Sequence, residues 1–421
     1  MANKTNKRRD LKIIWSSNAP HTNSGYAVET RDLLFRFKKD GWDTSAIGFW
    51  GVEGFPITVN GEDLIDDRFK GIKLKVYPKL DQPFGGDALY HHSIDSKANV
   101  AFAMQDIWSL DPNYLGQLYN QKIPFIPYLP IDQEPIPAGV LNNLKFAYKI
   151  LSFSKFGQQA LEKEGFTSTM IPEGTDTQIF KPMDKVEVRK ELGLPQDTFI
   201  FGMIGANKEN PPRKGYQEAL EAFQKFSLVH PEARIFFHTQ QIAPGNFPIL
   251  EYARYLGVGD KVLFLDQRMA TWKADSKQIV KEINAFDIQL HPSQTEGFGL
   301  LIIESQACGV PVIVNRCHSM PELVIEGKTG EICETGKGHW RSSNGFVYPA
   351  DVNSLYDKME TLYKKVKSER LIAKQCRDNI LQNFDIDVIV KDKWIPFLND
   401  LQEEVLGKPK EEGSSSTSKS T

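Results

Sequence analysis

Short apolar segments alternate with longer amphipathic segments along most of the 421-residue chain. The apolar segments have the length of buried strands, and the amphipathic segments have the 3.6-residue period of helices. This alternation is typical of parallel sheets whose strands are joined by crossover helices. The predicted strands of the first half are Leu11–Trp15, Ser45–Phe49, Ile72–Tyr77, Val100–Met104, Phe125–Leu129 and Ile150–Phe153.

Two helices of the first half have recognisable ends. Helical periodicity fits Tyr26–Lys39, and Gly41 follows as a stop signal. It also fits Phe156–Glu164, with Ser154 as the N-cap and Gly165 as the stop. These signals give both helices a predicted beginning or end that is independent of their hydrophobic pattern.

A change of composition divides the chain. Residues 172–197 are rich in proline and short of apolar runs, so we place a domain linker there. The alternation then restarts, which predicts a second doubly wound sheet rather than a continuation of the first. Its predicted strands are Phe199–Ile204, Arg234–Phe237, Lys261–Leu265, Asp287–Leu290 and Val312–Val314, and its predicted helices are Tyr216–Val229, Leu300–Ala307, Val352–Val366 and Val388–Leu406.

The pattern sets predicted domain limits. They are a flexible N-terminus over residues 1–9, a first Rossmann-like domain over 10–180, a second over 181–386, a C-terminal helix over 387–407 and a disordered tail over 408–421. We expect the C-terminal helix to pack back toward the first domain. The tail is polar and of low complexity, so it buries too little apolar surface to fold.

Composition and charge narrow the class of protein. The hydrophobic content of 40% and the charged content of 25% are ordinary for a globular chain. A net charge of -3 does not favour binding to nucleic acid or to anionic membranes. No signal sequence and no membrane span are recognised, and the four cysteines lack metal-site spacing. We therefore expect a cytoplasmic protein with free thiols.

The candidate chemistry follows the predicted strands, where open α/β sheets bind their ligands. After the strand that ends at Leu290, a small-residue turn leads into a helix, and backbone N–H groups at such a helix start bind anions. Glu296 precedes this turn and Glu304 lies within the helix, at depths that suit two parts of one ligand. The residues of the turn are Gly297, Phe298, Gly299 and Leu300.

A basic loop separates the first strand and the first helix of the second half. It contains Asn207, Lys208, Arg213 and Lys214. Such a loop suits a diphosphate, because arginine pairs with phosphate through two hydrogen bonds and lysine supplies a point charge. A solvated surface loop is the alternative.

Three loops of the first half offer further candidates. Gly25 opens the first helix and allows a close backbone approach to a ligand, and His21 before it is either a ligand contact or an exposed loop residue. Asp106 and Asp132 each follow a predicted strand. Asp106 either contacts a ligand or caps the next helix. Asp111 is the better candidate for the helix cap. His91 and His92 lack metal-site partners and are interpreted as structural.

These motifs together resemble family GT4, the retaining glycosyltransferases of the GT-B fold. The similarity is carried by the E-x7-E run from Glu296 to Glu304, by the linker motif Ile171–Asp176 and by Pro321–Val324. It spans nearly the whole chain. The resemblance implies an α/β protein of two Rossmann-like domains that face a cleft. Ala206 stands where many members carry an arginine, and Arg213 is expected to supply that charge.

The resemblance also implies roles. Glu296, Arg213 and Lys214 would be catalytic, and Asp106, Asp132 and His21 would lie on the acceptor side. The donor would be a UDP-sugar or GDP-sugar, the acceptor a hydroxyl compound, and neither a metal nor another cofactor would be required. Asp385-Ile-Asp387 has the letters of a metal motif but is interpreted as a helix cap. The predicted donor-binding residues are Glu304, Gly297, Phe298, Gly299, Leu300, Asn207 and Gly25.

Two alternatives stay open. One is a non-catalytic protein that binds a nucleotide-sugar. The other is a transferase of the type common in bacteriophages, acting on a modified nucleic-acid base. A nucleic-acid acceptor is not favoured, because phosphate contacts dominate such binding and the chain has no net positive charge.

Overall fold

The computed structural model describes residues 9–241, 245–267, 275–342, 344–368 and 371–407. Two mainly parallel sheets dominate it, and each is covered by helices. The strand order is β3-β4-β2-β1-β5-β6-β7-β8 in the first sheet and β11-β10-β9-β12-β13-β14 in the second. Both orders start in the middle of the sheet and wind outward in two directions, so the prediction of two doubly wound domains is confirmed. The predicted flexible N-terminus and disordered tail lie outside the described residues, apart from Arg9.

The strands of the first sheet run parallel except for β3, which pairs antiparallel with β4 at the edge. The central strands β5 and β6 are buried along their whole length, as expected for parallel strands covered on both faces. The bounds are β1 Lys12–Asn18, β2 Asp43–Trp50, β3 Ile57–Asn60, β4 Lys73–Pro78, β5 Val100–Met104, β6 Phe125–Leu129, β7 Leu151–Ser152 and β8 Thr169–Met170.

The second sheet is parallel throughout its described strands, and a short antiparallel hairpin follows it. The sheet strands are β9 Ile200–Ile204, β10 Arg234–His238, β11 Val262–Phe264, β12 Ile288–His291, β13 Val312–Asn315 and β14 Gly330–Cys333. The hairpin strands are β15 His339–Trp340 and β16 Phe346–Val347. The hairpin touches the first domain, because the Phe346 N–H donates to the Glu134 carbonyl at 3.0 Å.

Helices cover both sheets. Those of the first half are Gly25–Lys39, Gly61–Leu64, Gly86–Asp95, Pro112–Asn120, Ala138–Leu144 and Lys155–Lys163. Those of the second half are Lys185–Glu191, Tyr216–Val229, Ile249–Tyr255, Ser276–Ala285, Leu300–Ala307, Val352–Ser368 and Ile372–Asn383. The last helical segment comprises Ile386–Ile389, a π-helical turn Val390–Trp394, and Ile395–Leu406.

The predicted capping signals are found where the sequence placed them. The Ser154 hydroxyl accepts a backbone hydrogen bond at the start of its helix, and Asp111 caps Pro112–Asn120. Ser24, which was not predicted as a cap, plays the same part for Gly25–Lys39. Asp385 caps the helix that starts at Ile386, which confirms its interpretation as a cap and places the start of the predicted helix Val388–Leu406 two residues earlier. Strand β3 was not predicted, and neither were the helices Gly86–Asp95, Ser276–Ala285 and Ile372–Asn383.

The C-terminal helical segment packs on the first domain. Trp394 is fully buried, and its ring lies 5.7 Å from Trp15, 5.4 Å from Phe37 and 5.2 Å from Tyr128 between centroids. Aromatic rings of this size supply much of the apolar area that a core buries. The chain therefore crosses between the domains twice, once in the linker and once before this segment.

The two crossings are tied together. The Thr175 N–H donates to the Phe384 carbonyl at 2.9 Å, and the Ile386 N–H donates to the Thr175 carbonyl at 3.0 Å. Arg36 of the first long helix holds both, with ion pairs of 2.8 Å to Asp176 and 2.6 Å to Asp387. The Arg36 side chain is 4% exposed and Asp176 is 2% exposed, so water screens this pair little.

Other expectations concern the interior and the membrane. All four cysteines are buried and free, and His92 is buried against the Tyr77 ring with a 3.0 Å hydrogen bond to the Pro78 carbonyl. Among the helices that the structure describes, none is both long and apolar enough to cross a bilayer.

Replacing Arg36 should destabilise the fold strongly. Arg36→Met leaves buried carboxylates at the domain crossing short of a cation, and we expect a loss of about 3 kcal/mol in the free energy of unfolding, measured by urea titration. Lys190→Met removes one exposed cation as a control and should change the free energy of unfolding by less than about 0.5 kcal/mol. Equal stability of the two variants would contradict the role of Arg36.

Candidate active site

The carboxyl ends of both sheets open onto one cleft, and their loops touch across it. A β-carbon added to Gly25 would lie 3.5 Å from Leu300 of the opposite domain, and one added to Gly297 would lie 2.6 Å from the β-carbon of Pro130. The Thr295 hydroxyl also donates to the Asp132 carbonyl across the cleft. The loops that the sequence singled out therefore meet at one place.

Glu296 is the centre of an ionic cluster on the second-domain wall. Its carboxylate pairs with the Lys214 ammonium, and it lies 3.6 Å from the Arg213 guanidinium and 3.1 Å from Nε2 of His291. Glu296 is 9% exposed and His291 is 4% exposed. The sequence predicted the first three residues, whereas the contact of His291 was not foreseen.

The cluster fixes the charge of Glu296. Burial alone would raise the pKa of the carboxyl, but Lys214 and Arg213 hold it well below its ordinary value. Burial lowers the pKa of the His291 imidazole, so this ring is neutral near neutral pH. Glu296 is therefore an ionised hydrogen-bond acceptor that is already engaged by cations, which suits it to holding hydroxyl groups.

Two glycines allow this wall to form. Gly215 has a φ of 78°, and a β-carbon there would lie 2.2 Å from the Pro292 carbonyl oxygen. Gly299 has a φ of 118° at the start of its helix. A side chain at either position would strain the backbone. At Gly215 it would also clash with Pro292. The basic loop and the glycine turn can therefore approach each other closely.

The turn before this helix presents unused donors. Within the described residues, no protein acceptor pairs with the backbone N–H groups of Gly297, Phe298, Gly299 and Leu300. The Ser319 hydroxyl oxygen lies 2.8 Å from the Glu296 carbonyl and 2.9 Å from the Phe298 carbonyl, and so holds the turn in shape. The Phe298 ring is buried next to Phe384, so only its backbone faces the cleft.

Arg213 lies between the two walls. Its guanidinium donates to the Thr295 carbonyl at 2.7 Å and lies 3.6 Å from Glu209. Its charge also acts on Asp132 and on the Tyr26 hydroxyl of the first domain. Arg213 therefore links the basic loop to the first-domain side of the cleft.

The first-domain wall is acidic. Asp106 is exposed in the cleft, and its carboxylate is 3.4 Å from the Tyr26 hydroxyl. Burial and the neighbouring Asp106 raise the pKa of Asp132 to about 6. The structure thus brings both predicted carboxylates together and adds Tyr26, which the sequence showed only as a position in a helical pattern.

Glu304 forms part of a buried acidic floor. Its carboxyl is 6% exposed and, within the described ranges, makes no hydrogen bond or ion pair. Burial, with a smaller contribution from Asp32, raises its pKa to about 8. The buried carboxyls of Glu173 and Glu29 interact with this region, and burial raises the pKa of both well above the ordinary value. Neither of these two glutamates was predicted.

Two of the predicted site residues, Asn207 and His21, are not part of the charged cluster of the cleft. The Asn207 side chain is buried and bridges the Phe247 backbone, donating at 2.8 Å and accepting at 3.0 Å, so its amide holds a loop. His21 is exposed on the loop before Gly25, next to Gly51. Their proposed contacts with donor and acceptor stay predictions.

The fold is that of the GT-B glycosyltransferases. Sucrose-phosphate synthase from Thermosynechococcus elongatus superimposes with a TM-score of 0.73 at 16% identity, covering 93% of this chain and 99% of that one. The HepE protein of Anabaena in complex with UDP-glucose gives a TM-score of 0.66 at 16% identity, covering 94% and 100%. At this identity the likeness shows the fold alone.

The similarity to a known sequence family lies in the second domain. Residues 184–344 match the model described as "Glycosyl transferases group 1", which confirms the resemblance over this segment. A curated relative from Acidothermus cellulolyticus, "D-inositol 3-phosphate glycosyltransferase", is 32% identical over 168 residues. The match covers 38% of this chain and 36% of that relative, so this chain spans about a third of its length. Residues 184–344 are thus similar to the group 1 glycosyl transferases.

The raised pKa of Glu304 predicts a pH-dependent stability. Between its ordinary pKa of 4.5 and the folded value of about 8, the unfolded state releases a proton that the folded state keeps. Stability is therefore lost as pH rises through this window, by up to about 1.4 kcal/mol per pH unit. Glutamine does not ionise. The melting temperature of Glu304→Gln, relative to that of the wild type, should therefore rise as the pH increases from 5 to 8.

The exposed Glu251 gives the matched control for this comparison. Glu251→Gln should keep a constant offset from the wild type over the same pH range in thermal unfolding. Parallel curves for Glu304→Gln and the wild type would show that Glu304 is not held protonated.

Proposed function

We propose that the protein is a retaining glycosyltransferase that moves a hexose-type sugar from a UDP-sugar or GDP-sugar to a hydroxyl acceptor without a metal ion. The observation that carries the proposal is the Glu296 carboxylate, held ionised by Lys214 and Arg213 beside a turn of unused N–H groups. Across the cleft it faces Asp106 and Asp132. This site combines cations, backbone donors and carboxylates, which are the groups that a glycosyl transfer requires.

The leaving group would bind at the two cations. Cleavage of the sugar–phosphate bond puts developing negative charge on the diphosphate, and fixed cations in a partly dry site stabilise such charge. Lys214 and Arg213 are already placed there by Glu296, so little reorganisation is needed. Gly297, Phe298, Gly299 and Leu300 would add backbone donors to the same anion.

The sugar and the nucleotide would bind at two depths. Glu296 would accept hydrogen bonds from sugar hydroxyls next to the reacting carbon, which positions the ring for transfer. Glu304 would hold the ribose hydroxyls, and Gly25 would approach the donor from the opposite wall. A pKa of about 8 leaves Glu304 largely protonated at neutral pH, so its carboxyl both donates and accepts hydrogen bonds.

The acceptor would enter from the first domain. Asp106, Asp132 and His21 would contact the acceptor there. Glu296 is engaged by Lys214 and His291, so it suits hydroxyl binding better than covalent attack. We therefore propose same-face attack, in which the leaving phosphate takes the proton of the acceptor hydroxyl and the configuration is retained.

The sugar nucleotide is proposed to be a UDP-sugar in the first instance. HepE, which shares the fold, was solved with UDP and with UDP-glucose. A thermal-shift screen of UDP, GDP, ADP and dTDP, each with and without an attached sugar, tests this choice, because a ligand that binds only the folded state raises its melting temperature. A shift with UDP-sugars is expected, and the lack of a shift with every nucleotide would overturn the proposal.

Loss of Glu296 should remove transfer and leave the fold. Glu296→Ala removes the carboxylate that would accept hydrogen bonds from the sugar hydroxyls. Ser319 still holds the turn in shape. We expect kcat for release of UDP from UDP-glucose to fall by about 10²–10³-fold, with water or a sugar as acceptor. Thermal unfolding serves as the control for folding. A folded variant with full activity would exclude the central role of Glu296.

Loss of Lys214 should weaken binding of the diphosphate. Lys214→Ala removes a charge beside Glu296, and we expect the Kd for UDP in calorimetry to rise about tenfold. Lys281→Ala is the control, because this lysine pairs with Glu191 on the surface. An unchanged affinity in Lys214→Ala would refute the phosphate contact.

A further inference from the structure

Exposed tryptophan and phenylalanine side chains of the described residues are concentrated on loops beside the cleft. In the part of the chain that the structure describes, the exposed tryptophans and phenylalanines lie on first-domain loops or on the β15–β16 hairpin. The first-domain set is Trp50, Phe55, Phe84 and Trp108, with exposures of 68%, 84%, 42% and 54%. We call these four residues the aromatic platform. Scattered exposed rings need no explanation, but a cluster at a site entrance does.

The platform lies where the sheet topology brings chain ends together. Trp50 ends β2 and Phe55 follows it, Phe84 lies in the loop after β4, and Trp108 lies in the loop after β5. The strand order β4-β2-β1-β5 is parallel, so these loops share one edge of the sheet. The loop after β1, between Asn18 and Gly25, lies among them.

Hydrogen bonds hold two of the loops in place. The Gln105 amide donates to the Phe84 carbonyl at 3.1 Å, and the Gln82 amide donates to Asp111 at 3.0 Å. The Phe84 and Trp108 rings consequently lie 6.0 Å apart between centroids, although β4 and β5 are separated by two strands. The Phe84 and Trp108 rings are therefore pre-organised, which lowers the entropic cost of stacking a ligand on them.

The charge of these loops excludes a polyanion. The segments 19–24, 51–56, 79–85 and 105–111 contain one lysine, Lys79, against the four carboxylates Glu53, Asp81, Asp106 and Asp111. Lys79 itself pairs with Glu53 at 2.6 Å. Single-stranded nucleic acids also stack on aromatic rings, but they require a positively charged groove. These rings therefore do not suit a polyanion, and they do suit a neutral ligand.

We infer that the aromatic platform binds a neutral oligosaccharide, which presents the terminal sugar as the acceptor for the proposed transfer; the inference rests on that proposed function. A pyranose ring has an apolar C–H face that stacks on an aromatic ring and a hydroxyl edge that hydrogen-bonds to carboxylates. Asp106 stands two residues before Trp108 and is exposed at the same place. A chain stacked on the platform thus ends at the cleft.

The test is direct binding of oligosaccharides to the full chain. Maltohexaose, cellohexaose and chitohexaose are titrated against the wild type by calorimetry, with single-stranded dT10 as the polyanion. We expect one of the oligosaccharides to bind and dT10 not to bind. In Trp50→Ala and in Trp108→Ala the Kd for that oligosaccharide should rise about tenfold.

Tyr119→Ala provides the matched control. Tyr119 is 70% exposed in the first domain, at the end of the helix that leads away from the cleft, and its loss should leave the Kd unchanged. Thermal shifts with UDP should be the same in all three variants, because none of the residues contacts the donor site.

The outcomes separate the two proposals. If no nucleotide shifts the melting temperature of the wild type, the proposed transferase function fails, whatever the oligosaccharides do. If a nucleotide binds but no oligosaccharide does, or if Trp50→Ala and Trp108→Ala bind it like the wild type, the inference about the platform is overturned. Binding of dT10 that both tryptophan variants lose would overturn it in favour of a nucleic acid.

Discussion

The cleft depends on one buried ion cluster, in which the Glu296 carboxylate meets Lys214 and Arg213. Burying these charges is costly, and their attraction repays the cost only when the geometry is close. The backbone around them is shaped to allow that geometry, because Gly215 lets the basic loop press on Pro292 and Ser319 holds the turn. Arrays of this kind are poor devices for stability. Their value lies in presenting fixed charge to a ligand, which links the local backbone to the proposed chemistry.

A second constraint sets the position of the two cleft walls. Both chain crossings between the domains meet at Thr175, and Arg36 binds Asp176 in one crossing and Asp387 in the other. The C-terminal segment then returns its tryptophan, Trp394, to the core of the first domain. Any movement of one domain against the other must therefore pivot near these paired crossings.

The sequence predicted what depends on local pattern. Long strands, the ends of capped helices and the turn from Glu296 to Glu304 are encoded in neighbouring residues, and the structure places them within a few positions of the prediction. It could not predict what depends on distant parts of the chain. Burial among segments that are distant in sequence raises the pKa of Glu173 and Glu29. His291 acquires its role from its contact with Glu296. The sequence suggests a ligand contact for Asn207, although its side-chain amide hydrogen-bonds the Phe247 backbone. The platform rings look like ordinary hydrophobic positions until the strand order brings their loops to one edge.

The charges of the cleft are segregated, and this separation gives direction to the proposed reaction. The cations stand on the second-domain wall with Glu296, whereas Asp106 and Asp132 stand on the first-domain wall. A diphosphate is attracted to the second-domain wall and repelled by the first-domain wall, so it can bind in one orientation with the sugar toward the proposed acceptor side. Carboxylates on the opposite wall suit hydroxyl groups, and they repel a second anion. The same distribution that orients a donor therefore selects a neutral acceptor, which is the kind of ligand that the exposed rings at the entrance can stack.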